Sequence, residues 1–315
     1  MIDPAAFTRD AIERLRRDVP TTAIVAASGG IDSTAAALLA QRALGDRARA
    51  IFVDTGLLRA GEVERTRAYF ARAGLAHRVV DAAPRFFAAL AGVADPEEKR
   101  RRIGEAFIRL FEDEAAAFQT DRLIQGTIAP DWIESGGGSR DTIKTHHNVG
   151  GVPADSRLVL VEPLRDLYKD EVRTLARYLG IPDSDRQPFP GPGLAVRVQG
   201  PVTPERVAWA REANAIVEAE VEAAVARGEV ERPWQYFAVL LPVRAVGVTG
   251  DNRVYGDVVV VRAVRSTDAM TASVVPLSFD LLGRIAQRIT RQLSPHVVRV
   301  LYDVTDKPPA TIEWE

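Results

Sequence analysis

The run Ala23-Ile24-Val25-Ala26-Ala27-Ser28-Gly29-Gly30-Ile31-Asp32-Ser33 decides how the first half of the chain is read. Residues 23–27 (AIVAA) are short, apolar and uninterrupted, the pattern of a buried strand. Residues 33–44 (STAAALLAQRAL) are rich in Ala and Leu and predict a helix ending near Gly45. Between them, two glycines let the backbone turn sharply and come close to a ligand. The first N–H groups of a helix have no partner inside it, and the helix dipole is positive there. A strand, a glycine turn and a helix start together form an anion site, to which the Ser28 and Ser33 hydroxyls add donors. Asp32 is expected to cap the helix, although its charge does not favour phosphate. A plain tight turn before a capped helix has the same local pattern.

Outward from this point, strand and helix patterns alternate. Residues 50–53 and 77–81 read as strands around a helix at 62–73. A long helix is expected over 96–118, strands at 122–125 and 158–161, and a helix at Lys169–Leu179. This alternation predicts an α/β fold with a parallel sheet flanked by helices. In such sheets ligands bind at the carboxyl ends of the strands. Pro188-Phe189-Pro190-Gly191-Pro192-Gly193 interrupts regular structure and marks a boundary. The expected division is 1–190 and 191–315. Beyond the boundary, Thr203-Pro204 reads as an N-cap with proline at the first helical position. Strand patterns at 236–241, 245–249, 257–263 and 297–302 and helices at 203–228 and 279–293 predict a smaller α+β domain.

Composition narrows the function. The chain has 315 residues, 41 Lys and Arg against 43 Asp and Glu, and no cysteine. The near-neutral charge disfavours a nucleic-acid binder. The cluster Glu97-Glu98-Lys99-Arg100-Arg101-Arg102 mixes signs on a helix and reads as a solvated face. No apolar run is long enough for a membrane span, and the first residues do not resemble a signal peptide. A cytoplasmic protein with no membrane or nucleic-acid partner is expected. Without cysteine there are no disulfides, thiolate metal sites or thiol nucleophiles.

Further strings gather at the same predicted sheet edge. Phe52-Val53-Asp54-Thr55-Gly56-Leu57-Leu58-Arg59 closes the second strand. Gln125-Gly126-Thr127-Ile128-Ala129-Pro130-Asp131-Trp132-Ile133-Glu134-Ser135 follows a later one. Asp131 and Glu134 share a helical face; beside a triphosphate they could hold Mg²⁺ or orient substrate, and otherwise they form a solvated acidic surface. Lys144 lies in a segment of more than 30 residues between strands, a length usual for functional loops. His146 and His147 are adjacent and lack a third ligand, so no protein metal site is read there. Arg186 and Arg197 flank the Pro-Gly turn, either as phosphate ligands or as incidental linker arginines. Two acids flank Trp314 after a Pro-Pro pair, which suggests an ordered tail.

The Ser28–Ser33 string lacks the lysine of GxxxxGK[ST] and the spacing of GxGxxG. It resembles the pyrophosphate loop of the ATP pyrophosphatases, the PP-loop or N-type family. The ordered set SGGIDS, FVDTGLLR, QGTIAPDWIES, IKTHHNVGG, EPLRDLYKDEVR, PFPGPGLAVR, GVTGD and KPPATIEWE covers almost the whole chain and resembles the ATP-pyrophosphatase part of the GMP synthase family. That resemblance implies an adenine nucleotide alpha hydrolase-like PP-loop domain, then a smaller dimerisation domain through which a homodimer forms. It implies that the C2 oxygen of XMP attacks the α-phosphorus of ATP, and that ammonia then displaces AMP to give GMP. Carried over by motif, Ser28, Gly29, Gly30, Ile31, Asp32 and Ser33 cradle the pyrophosphate, with Mg²⁺, and Val53 contacts the adenosine. Asp131 and Glu134 lie on the catalytic side, and Lys144 belongs to a lid. Arg197, Lys307, Ile312 and Glu313 serve XMP, and the tail is expected to complete that site together with a partner protomer.

Gln187 stands where many members have His, a change expected only to tune the site. Many members also carry a glutaminase domain before SGGIDS, where this sequence has 27 residues. With no cysteine anywhere, the chain is expected to use free ammonia or ammonia from a separate glutamine amidotransferase subunit. The alternatives are another PP-loop enzyme, such as NAD synthetase or a tRNA thiolase, and a non-catalytic nucleotide-binding regulator. Sulfur transfer would need cysteines, and NAD synthetase leaves the hinge and tail unexplained.

Overall fold

The apolar runs become strands and the amphipathic stretches cover them. The computed structural model describes residues 2–130, 156–182, 187–267 and 269–315. The chain divides into two compact units. The first comprises Met1–Gly56, Gly61–Ala89 and Arg100–Asp185; the second comprises Leu57–Ala60, Leu90–Lys99 and Arg186–Glu315.

In the first unit β1 (Ala23–Ala26), β2 (Ala48–Asp54), β3 (His77–Asp81), β4 (Arg122–Ile124) and β5 (Val159–Val161) form one sheet in the order β3-β2-β1-β4-β5. All four pairings are parallel. Successive strands move from β1 to one side and then, with β4, to the other. The sheet order thus reverses beside β1, where open α/β sheets form their ligand crevice.

Helix α1 (Pro4–Asp18) opens the chain, with Asp3 accepting from the Ala5 and Ala6 amides. Helix α2 (Ile31–Leu44) buries Ala35, Ala36, Ala37, Leu38, Leu39 and Ala40 in succession. It is covered nearly all round, so small residues suit it. Helices α3 (Glu62–Arg72), α4 (Ala83–Leu90) and α5 (Pro96–Ala117) follow in the chain. Helix α6 (Lys169–Leu179) buries Val172, Leu175, Ala176 and Leu179 on one stripe and ends at Gly180.

In the second unit α7 (Pro204–Ala226) starts with Thr203 accepting from the Arg206 amide, a cap worth about 1 kcal/mol. Strand β6 (Gln235–Thr249) pairs antiparallel with β7 (Asn252–Arg265). Strand β7 also pairs antiparallel with β8 (Ser273–Val274) and parallel with β9 (Val297–Tyr302). Helix α8 (Phe279–Gln292) buries Leu281, Ile285 and Ile289. The expected pair of strands at 236–241 and 245–249 is one strand with a register shift between Leu241 and Ala245. Pro242 is tolerated because it falls within that register shift, outside the paired ladder, where a missing N–H costs less.

Candidate functional site

The loop after β1 is built for an anion. Gly30 is the N-cap of α2 and makes no side-chain capping bond. The amides of Ile31, Asp32 and Ser33 therefore begin the helix without intrahelical acceptors. Gly29 holds φ +84°, and a Cβ there would lie 3.0 Å from Thr66 Cγ2. The Ser28 amide donates to Ser33 Oγ at 3.1 Å, and the two hydroxyl oxygens are 3.0 Å apart. Ser33 Oγ donates to Gly30 O at 3.1 Å, which fixes the hydroxyl at the helix start. Ser28 and Gly30 are exposed, so a ligand can reach the loop.

Asp32 does not cap the helix, contrary to the expectation. It lies inside the first turn, and its Oδ2 accepts from Lys169 Nζ at 2.5 Å. Its Oδ1 is buried without a hydrogen-bond donor. An unspent carboxylate oxygen beside these free amides fits a hard divalent cation such as Mg²⁺. Lys169, at the start of α6, is half-exposed and reaches the loop from 137 residues away in sequence. Sequence reasoning misses it, because a lysine three residues before an apolar helical stripe carries no local sign of a distant partner.

Two other strand ends stand at the same edge. Val53, near the end of β2, is buried in the sheet, and Asp54 Oδ1 accepts from the Gly56 amide at 2.9 Å. Beyond β4, Gly126 passes so close to α2 that an added Cβ would lie 2.7 Å from both Ser33 N and Ser33 Cα. The backbone after β4 thus presses directly on the anion loop. Asp131, Glu134 and Lys144, with Arg186, His146 and His147, lie outside the described residues.

The second unit brings Arg197, Glu313, Ile312 and Lys307 into one tail assembly. Arg197 is fully buried; Nε and Nη2 donate to the two Glu313 oxygens at 3.0 and 2.8 Å, and Nη1 to Asn214 Oδ1 at 3.0 Å. Gln235 Nε2 adds a bond to Glu313 Oε1 at 2.8 Å. The structure gives Ile312 a packing role, among Phe237, Val239, Val260, Val264 and Ala272. Lys307 Nζ donates to Ala269 O at 2.8 Å. Gln187 Oε1 accepts from the Tyr236 amide at 2.7 Å, and its Nε2 donates to Glu218 at 3.1 Å. Arg59 braces the same turn, donating to the Gln187 and Pro188 carbonyls at 3.1 and 2.8 Å. In the cluster at 97–102, Glu97, Arg101 and Arg102 are exposed as expected of a solvated face, but Lys99 departs from it, fully buried beside Glu315.

The family model described as "GMP synthase C terminal domain" matches residues 222–314. A glutamine-hydrolyzing GMP synthase subunit of Thermoplasma acidophilum is 56% identical over 93% of both chains. The subunit of the same description from Methanopyrus kandleri is 57% identical over the full length of both. Among solved structures, the NMN synthetase of Francisella tularensis superposes with a TM-score of 0.49 at 20% identity, covering 66% of this chain and 85% of that one. With more than half of its residues shared across nearly its whole length, the chain belongs to the family of these GMP synthase subunits.

Proposed function

We propose that this chain is the synthetase subunit that makes GMP from XMP, ATP and ammonia. The observation that carries the reading is the uncapped start of α2 behind the exposed Ser28-Gly29-Gly30 turn, set where the sheet order reverses. Backbone amides at 30–33 and the Ser28 and Ser33 hydroxyls hold the β- and γ-phosphates. They stabilise negative charge as the bond from Pα to the bridging oxygen breaks. The C2 oxygen of XMP forms the new bond to Pα, and pyrophosphate departs. Ammonia then adds at C2, the C2–O bond breaks, AMP leaves and a proton is lost. No protein nucleophile takes part, so the work of the chain is to position groups and stabilise charge. Lys169, paired with Asp32 beside the loop, adds positive charge for the phosphates. Bound Mg²⁺, held by Asp32 and phosphate oxygens, would neutralise leaving-group charge.

Asp131, Glu134 and Lys144 complete this reading on the catalytic side, and Val53 lines the adenosine. The tail, with Lys307, Glu313 and the Arg197 pair, forms the XMP side; Ile312 anchors it. We place the domain boundary near 190, with the second domain forming a homodimer. Exposed Val243, Val246, Val248, Tyr255 and Leu301 on β6, β7 and β9 support that face. A separate glutamine amidotransferase subunit supplies ammonia, in keeping with the relatives being named as subunits and with the absence of cysteine here. Cytoplasmic location goes with these nucleotide substrates; no helix among the described residues is long and apolar enough to cross a membrane.

The test is pyrophosphate and GMP formation with ATP, Mg²⁺, XMP and ammonium, beside the same mixture with glutamine replacing ammonium. Turnover with ammonium alone is expected. Absence of XMP-dependent pyrophosphate in both mixtures would overturn the reading.

A further inference from the structure

Among the described residues, Lys99, Arg197 and Arg262 are fully buried cations, and all three hold the tail. Arg262, on β7, donates through Nε to Ile312 O at 2.9 Å and through Nη2 to Thr311 O at 2.7 Å. Its Nη1 reaches Thr305 O and Asp303 Oδ2 at 2.9 and 2.8 Å. Arg197 takes Glu313 through its bidentate pair. Lys99 takes the next acid: its Nζ donates to Glu315 Oε2 at 2.5 Å, to Val198 O at 2.7 Å and to Ala195 O at 3.4 Å. Trp314, between the two acids, donates to Asp303 Oδ2 at 3.0 Å and accepts from Gln199 Nε2 at 3.4 Å.

Burying a cation is costly unless its partners are well placed, and an apolar side chain often fills such a space with equal or greater stability. Three such cations on one short segment are therefore hard to explain by stability alone. Each fixes a different part of the same peptide. Lys99 also ties Glu315 to the carbonyls of Ala195 and Val198, which flank Arg197 in sequence. One ammonium thus holds both stretches of chain that the Arg197–Glu313 pair joins.

We propose that Lys99 is a positioning residue for XMP: through Glu315, Ala195 and Val198 it fixes the register of the tail against Arg197. This rests on the reading of the tail as the XMP side of the site. An attacking oxygen must be held in line with Pα, where a displacement of about 1 Å can cost about a hundredfold in rate.

The experiment compares the full chain with Lys99→Met and Glu315→Gln. Hydrogen exchange of the amides of 303–315 is measured without ligand, and KM for XMP and for ATP with saturating ammonium. Lys99→Met is expected to speed tail exchange and raise KM for XMP about tenfold, while KM for ATP stays within about twofold. Glu315→Gln moves both in the same direction by less, since Lys99 keeps its two carbonyls. Unchanged tail exchange and XMP KM in the folded variants would overturn the proposal, as would an equal rise in both KM values. If Lys99→Met fails to fold, Glu315→Gln decides by the same criteria. If the unaltered chain shows no XMP-dependent turnover, the synthase reading fails, and the exchange data still decide whether Lys99 positions the tail.

Discussion

The start of α2 and the C-terminal tail handle polar groups in opposite ways. At α2 they are left unspent: the first amides lack acceptors, Gly30 provides no side-chain cap, and Asp32 Oδ1 has no donor. In the tail they are spent within the chain, with Arg197, Arg262 and Lys99 buried against carboxylates and carbonyls. The first region recognises an anion with bonds it has not yet made. The second builds a rigid surface first and presents it. Substitutions at α2 should therefore reduce turnover with little loss of stability, whereas those under the tail should reduce stability first.

The strongest expected departure is Arg262→Met. It removes the cation paired with Asp303, which keeps only its Trp314 and Thr305 donors, and takes the Arg262 donor from three carbonyls, for a loss of about 3–5 kcal/mol in urea unfolding. A loss below about 1 kcal/mol would erase the contrast between the regions. Gly126→Ala comes next. Its Cβ would strike the Ser33 backbone, so XMP-dependent pyrophosphate release should fall about a hundredfold. Near-normal turnover would show that the α2 start does not need that close approach. Ser33→Ala removes one hydroxyl and leaves the backbone, so kcat/KM should fall about tenfold with stability kept within about 1 kcal/mol. A larger loss of stability than of activity would make the serine a structural cap.

The smallest effect lies in pH. Burial lowers the pKa of Lys99 below its ordinary 10.5 despite the Glu315 partner. The folded state then sheds this proton before the unfolded chain does. Stability contributed through Lys99 therefore rises with pH between the lowered value and 10.5. Burial raises Tyr236 and Tyr302 above their ordinary 10.0, so above that pH the unfolded chain loses these protons first and stability falls in either chain. Urea midpoints just below pH 10 should thus rise more in the unaltered chain than in Lys99→Met. Equal slopes would show that the ion pair offsets burial in full.

What can be read from the sequence is local. AIVAA and residues 50–53 announce strands because burial on both faces demands continuous apolar runs. Helix Lys169–Leu179 is legible to the residue because its stripe and Gly180 both mark it. The anion loop is legible because its donors lie within six residues of one another. What escapes is held by distance or context. Strand β6 runs through Pro242 because a register shift between Leu241 and Ala245 takes the proline out of the ladder. Helix α1, with Asp3 and Pro4 as its start, lies in a stretch whose mixed charges mask its apolar stripe. Lys99 looks like its charged neighbours, since the Glu315 that accounts for its burial is 216 residues away.

The second unit recruits Leu57–Ala60 and Leu90–Lys99 from early in the chain. Leu57 O accepts from the Leu194 amide at 2.7 Å, Leu58 O from Arg211 Nε at 2.9 Å, and Lys99 meets Glu315. A gene fragment encoding only 186–315 would thus specify a unit with three of its seats empty. Recombination could not transplant this half onto another enzyme at a single breakpoint; it would have to carry two short upstream passages with it. The interleaving makes the two halves inseparable units of inheritance, whatever freedom each has to vary within itself.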